Sequence, residues 1–200
     1  MASERVVVLG DSFVAGMGDP AGAGWVGRIQ RQLDAAGVGV ELVRRGVGGD
    51  TSVDVERRWA FELSRELGDG GGRVILSFGA NDTTGFAGRT WIAHDRSVEV
   101  FAALLDDARA RGLPAFVVGI GAVDDPQQND RSRALERAFG RACAARGVPF
   151  VPVLDALIDD GTWVRDAAAG DGVHPGAAGY EVLCELVATG GLLEWLGRAA

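Results

Sequence analysis

Val6-Val7-Val8-Leu9-Gly10-Asp11-Ser12-Phe13 is the stretch on which the reading of this chain turns. Four consecutive apolar residues, three of them β-branched, show no polar alternation and stop short of helix length. That is the pattern of a strand buried on both faces of a parallel sheet. Gly10 then permits a tight turn. The next residues can start a helix, with Asp11 or Ser12 near its cap. A polar segment is therefore delivered straight from the end of a buried strand.

Similar runs recur downstream at 40–43, 74–78, 115–120 and 150–154. Between them lie segments of helical period. Residues 25–36 place Trp25, Ile29 and Leu33 on one face, and 53–67 do the same with Val55, Trp59 and Leu63. Residues 96–111, 131–146 and 177–188 supply three more. Gly37, Gly112 and Gly147 stop helices just before the next strand. Gly70-Gly71-Gly72 reads as a short loop, so residues 1–200 form one domain. The alternation predicts an α/β fold, a three-layer α/β/α sandwich around a five-stranded parallel sheet. In such sheets a ligand sits beyond the carboxyl ends of the strands.

Composition narrows the function classes. The formal net charge is −8, which disfavours nucleic acid or an anionic membrane as partner. All 20 basic residues are arginine, so a Schiff-base or Walker lysine is excluded. Two cysteines, Cys143 and Cys184, fall on helical apolar faces and read as small buried hydrophobes of a reducing compartment. With two histidines they are too few for a structural zinc site, and no metal is expected. No apolar run reaches the ~20 residues of a membrane span. The first run is too short for a signal-peptide core. A cytoplasmic location is the expectation.

Four polar elements follow the strands or precede the last helix. Gly10-Asp11-Ser12-Phe13 offers a hydroxyl, or merely a turn and cap. Gly46-Val47-Gly48-Gly49-Asp50-Thr51 is a flexible loop, or one that aims the Gly49 N–H at an anion. Gly79-Ala80-Asn81-Asp82 is an Asx turn, or an uncharged amide donor at Asn81. In Asp171-Gly172-Val173-His174-Pro175, a carboxylate three residues ahead can fix the tautomer of the imidazole. Pro175 suits the first turn of the last helix.

In this order and context the four elements resemble the SGNH hydrolases, also called GDSL lipases and esterases, over nearly the whole chain. The family's marker residues correspond to Ser12, Gly49, Asn81 and His174, with Asp171 as the acid. Phe13 stands where the family usually has leucine, and Arg45-Gly46 where it often has asparagine. The resemblance implies a flavodoxin-like sandwich and cofactor-free hydrolysis of a small-molecule acyl ester, thioester or acetylated sugar. Ser12 would attack, His174 serve as general base and Asp171 orient it. The backbone N–H groups of Ser12 and Gly49 and the Asn81 side chain would hold the oxyanion. Asp11 and Asp82 are expected to brace the nucleophile turn and the Asn81 loop. His94 reads as a surface or packing histidine. The segments 83–95, 124–130 and 159–170 are expected to wall the pocket, with Trp91 and Trp163 as lining candidates and Trp25, Trp59 and Trp195 as core.

Other classes fit less well. Gly10-Asp11-Ser12-Phe13-Val14 fails the G-x-S-x-G of α/β-hydrolases. A nucleotide-binding module lacks both the Walker lysine and the third glycine of the dinucleotide fingerprint. An inactive binding protein on a flavodoxin-like fold is the remaining alternative.

Overall fold

The computed structural model describes residues 3–68 and 71–197; Gly70 of the glycine loop lies outside them. The chain runs β1 (Glu4–Gly10), α1 (Ser12–Ala15), α2 (Gly24–Ala35), β2 (Val40–Gly46), α3 (Ser52–Leu67) and β3 (Arg73–Ser77). A 3₁₀ turn (Asn81–Thr83) leads to a small hairpin, β4 (Gly85–Phe86) and β5 (Arg89–Thr90). Then come α4 (His94–Ala110), β6 (Ala115–Val118), α5 (Pro126–Ala144) and β7 (Phe150–Val151). The helices α6 (Leu154–Asp160), α7 (Thr162–Ala168), α8 (Ala177–Val187) and α9 (Leu193–Gly197) complete it.

The main sheet is five-stranded and parallel, in the order β2-β1-β3-β6-β7. Apart from the inserted hairpin this is the doubly wound order with a switch point at β1. Strand order reverses after β2. Right-handed crossovers therefore put α2 on one face and α3, α4 and α5 on the other. The last helix, α8, returns to pack on α2 and α7. Val6, Val7, Val8 and Leu9 have no exposed surface, because β1 is covered on both faces and both edges. The register makes Gly10 level with Gly46 and Ser77, so three strands end together at the switch point.

The elements depart from the sequence reading in several places. The fourth major helix, α5, starts at Pro126 rather than at 131. Asp125 caps it, accepting from the N–H groups of Gln127 (2.9 Å) and Gln128 (3.1 Å), and Pro126 needs no acceptor in the first turn. The wall expected at 159–170 is mostly helical, since α6 and α7 turn Leu157, Trp163 and Ala167 inward. The last strand is cut to two residues because α6 begins at Leu154. His94 opens α4 and is exposed. Trp25 and Trp59 are core, and Trp195 is partly buried against Phe116. Cys143 and Cys184 are buried free thiols, pushed up to about 12 and about 11 by burial.

One buried acid joins the far strands. Glu136 of α5 accepts at Oε1 from the backbone N–H groups of Ile120 (3.0 Å), Val153 (3.1 Å) and Leu154 (3.2 Å). It thereby satisfies three donors where β6 and β7 end. Burial raises its carboxyl above the usual range. Glu136→Ala strands those donors and should cost ~3 kcal/mol or more, whereas Glu136→Gln keeps an acceptor oxygen and should cost ~1 kcal/mol. Urea midpoints at unchanged slope will separate the two.

Candidate active site

Ser12 is the first residue of α1 and 4% exposed. Asp11 caps this short helix, its Oδ1 accepting from the Phe13 N–H at 2.9 Å. The turn sits hard against β2. A Cβ on Gly46 would lie 2.1 Å from the Ala15 nitrogen, so only glycine lets the strand pass there. The N–H of Ser12 meets no acceptor among the described residues, and neither does that of Gly49. Gly49 reaches its orientation through a positive φ of 82° on an exposed loop.

The third donor is held from two sides. The Asn81 side-chain amide donates to the Asp50 carbonyl at 2.9 Å, leaving its second hydrogen available. Beside it Asp82 is buried. Its carboxylate accepts from the Ser52 N–H (2.9 Å), the Ser52 hydroxyl and the Ser97 hydroxyl (2.7 Å). Asp82 thus ties the Asn81 turn to the first turns of α3 and α4. Burial raises its pKa.

His174 comes from the other end of the chain. Its Nδ1 lies 2.6 Å from Asp171 Oδ2. The other carboxylate oxygen, Oδ1, accepts from the Val173 N–H (2.9 Å) and the His174 N–H (2.8 Å). These bonds to His174 hold the Asp171 carboxyl down at about 2. The imidazole stands edge-on to Phe13, with ring centres 5.9 Å apart. Ser12 and His174 are therefore presented on one rim of the sheet. The His174 ring bonds to Asp171, and no hydrogen bond joins it to the Ser12 hydroxyl.

Several contacts fix that meeting. A Cβ on Gly18 would lie 2.8 Å from the His174 Cβ, so the loop after α1 packs directly on the histidine segment. The Tyr180 hydroxyl donates to the Met17 carbonyl (2.7 Å). Arg28 bridges Asp19 (2.5 Å) and the Ala177 carbonyl (3.1 Å). Phe13, Trp163 and Tyr180 stack edge-on beneath.

Trp163 does not line a pocket. It is fully buried, and its indole N–H donates to the Ala122 carbonyl at 2.7 Å. It supports Phe13 from below, and the expectation that it faces a ligand is corrected. Trp91 is 54% exposed and lines an open cleft of about 1010 Å³ between the β4–β5 hairpin and the start of α5. Arg89, Gln127, Gln128 and Arg131 share that cleft. It adjoins the Asn81 turn, since Gln128 donates to the Ala80 carbonyl at 2.9 Å. A smaller hollow of about 420 Å³ opens on Asp171 and His174. Among the described residues no cluster of acids, cysteines and histidines could hold a metal, and no helix is long and apolar enough to cross a membrane.

Sequence reasoning missed Arg58. Its Nε donates to Asp50 Oδ2 and its Nη2 to the Gly10 carbonyl, both at 2.7 Å. Nothing in the sequence singles it out from the other arginines, because both partners are distant in the chain.

Asp11 carries the strongest electrostatic anomaly. Burial, aided by repulsion from Asp82 and Asp50, raises its carboxyl to about 7 against the bond from Phe13. The folded state therefore holds this proton more tightly than the unfolded chain. Stability from Asp11 is full below the ordinary 3.8 and is lost as pH climbs through about 7. At most the loss is about 4 kcal/mol. Asp11→Asn keeps a capping oxygen. It should leave Tm unchanged near pH ~4 and raise it near pH ~8, as thermal unfolding across that range will show.

The chain is 27% identical to the esterase TesA of Pseudomonas aeruginosa over 187 residues, 93% of this chain and 87% of that protein. The crystal structure of TesA superposes with a TM-score of 0.77 at 25% identity, covering 95% of this chain and 99% of that one. A lipase/acylhydrolase from Enterococcus faecalis gives 0.77 at 25% identity, covering 98% and 100%. A catalytic mutant of an acetylxylan esterase from Geobacillus stearothermophilus gives 0.78 at 20% identity, covering 100% and 99%, and speaks for the fold. The model of the GDSL-like lipase/acylhydrolase family matches residues 8–182, and the chain belongs to that family of hydrolases.

Proposed function

We propose that the chain hydrolyses esters through an acyl-enzyme on Ser12. The observation that carries this reading is the Asp171–His174 pair. It is locked at 2.6 Å and stands against the residue after Ser12. Asp171 fixes the Nδ1 tautomer, which leaves His174 Nε2 to take the Ser12 proton as Oγ attacks the acyl carbon. The oxyanion that forms is held by the N–H groups of Ser12 and Gly49 and the free hydrogen of the Asn81 amide. His174 then protonates the leaving alcohol, and water releases the acid by the same route. No cofactor enters these steps.

Family membership removes the nucleotide-binding alternative, and an inactive binding protein is answered by experiment. An alkyl fluorophosphonate should label Ser12. In a p-nitrophenyl ester series, Ser12→Ala should fall to the buffer background. Equal rates for Ser12→Ala and the native protein would overturn the reading. Asp171→Asn should lose less, about 10–10³-fold in kcat against the ~10⁴-fold of a buried triad acid, because water can reach this exposed carboxylate.

The cleft beside Asn81 takes one half of the ester, with Trp91 as its apolar face. Its open shape and polar rim suit a short acyl chain or a polar alcohol rather than a long alkyl tail. Trp91→Ala should raise KM several-fold with kcat within about twofold, the pattern of lost ground-state binding. An unchanged KM across the ester series would remove Trp91 from the substrate site.

A further inference from the structure

The three donors assigned to the oxyanion come from three separate strand ends, and none bonds directly to another. Gly10, two residues before Ser12, ends β1. Gly49 follows β2, and Asn81 follows β3. Oxyanion stabilisation needs all three donors placed within a few tenths of an ångström of one point. Something must therefore set the strand ends relative to one another.

The guanidinium of Arg58 bonds directly to the end of β1 and to the loop after β2, and is linked to Asn81 through Asp50. Its Nη2 donates to the Gly10 carbonyl at 2.7 Å. Its Nε donates to Asp50 Oδ2 at 2.7 Å, fixing the residue next to Gly49. The backbone carbonyl of that same Asp50 accepts the Asn81 amide at 2.9 Å. The Gly10 carbonyl also accepts from the Val47 N–H at 3.1 Å, so the β1 end and the glycine loop share this node. Arg58 is itself held in place. Only 16% of its side chain is exposed, it rises from the second helical turn of α3, and Glu62 stands 3.8 Å from its Nη1. The planar fork of a guanidinium fixes two acceptors at a set separation, which a lysine ammonium cannot do.

We propose that Arg58 is a positioning residue that holds the Ser12, Gly49 and Asn81 donors in register. It contacts no substrate. This rests on the esterase reading above. Arg58 also neutralises the Asp50 carboxylate, whose charge would otherwise oppose a developing oxyanion nearby.

The test is saturation kinetics with a short p-nitrophenyl ester on native protein, Arg58→Met, Arg58→Lys and the double variant Arg58→Met/Asp50→Asn. Thermal unfolding verifies that each is folded. The double variant leaves no lone carboxylate behind, so it is the safer fold. Arg58→Met and the double variant should lose about 10²-fold in kcat with KM within about threefold, and Arg58→Lys should recover only part. The Ki of phenylboronic acid, which forms a tetrahedral adduct on serine, should weaken in proportion to the fall in kcat/KM. A merely structural role would move KM and Ki without that proportionality. A folded Arg58→Met with kcat near the native value, or a double variant restored to native kcat, overturns the proposal. If the native protein shows no Ser12-dependent turnover, the esterase reading falls and this one with it. Native kcat in Arg58→Met beside an inactive Ser12→Ala overturns the Arg58 proposal alone.

Discussion

The site depends on a contact between residues more than 150 positions apart: the Phe13 ring against the His174 ring. Phe13 cannot move without Ser12, because the two are consecutive in a four-residue helix capped at both ends. His174 cannot move without Asp171, whose two carboxylate oxygens are both committed to the 171–174 turn. The contact therefore joins two rigid local units, and everything behind it restrains their approach. Tyr180 on Met17 and Arg28 on Ala177 sew the loop after α1 to the first turn of α8. Trp163 fills the space beneath Phe13. A fold that must join its first strand to its last helix gains this precision from packing the two ends on the same face of the sheet.

Where phenylalanine replaces the leucine common at this position, the change has a physical use. A larger ring at residue 13 reaches both Trp163, at 5.2 Å between ring centres, and His174, at 5.9 Å. Edge-on aromatic pairs add about 0.5–1.5 kcal/mol beyond area burial. The side chain that buries the Ser12 turn also gives the imidazole a wall to stand against.

Much of this was readable from sequence, for a specific reason. Ser12, Gly49, Asn81 and the Asp171–His174 pair each sit in short motifs whose geometry is local, and the buried runs before the first three place them at strand ends. Trp163 was misjudged because α6 and α7 have only seven residues apiece, too few for a helical period to stand out. Read as a loop, such a segment leaves its tryptophan free for a ligand. The early start of α5 was signalled by Asp125-Pro126, a cap and first-turn proline that also reads as a turn. Arg58 and Glu136 carry no local signal. Each acts on backbone groups of other elements, and only the folded chain brings those partners near.

The carboxylates around the site divide by burial, and that division matches the chemistry asked of each. Asp11, Asp50 and Asp82 lie behind the strand ends, where three anions together would resist a further negative charge. Each is disarmed differently. Asp11 is raised to about 7 by burial, Asp50 is paired with Arg58, and Asp82 is satisfied by hydroxyls and an N–H. Asp171, the carboxylate bonded to the His174 ring, is also the one left largely in water, 59% exposed and held at about 2. The backbone N–H groups of His174 and Val173 and the His174 ring keep it charged. The His174 ring that shares this carboxylate is the one that stands against Phe13, one residue from Ser12.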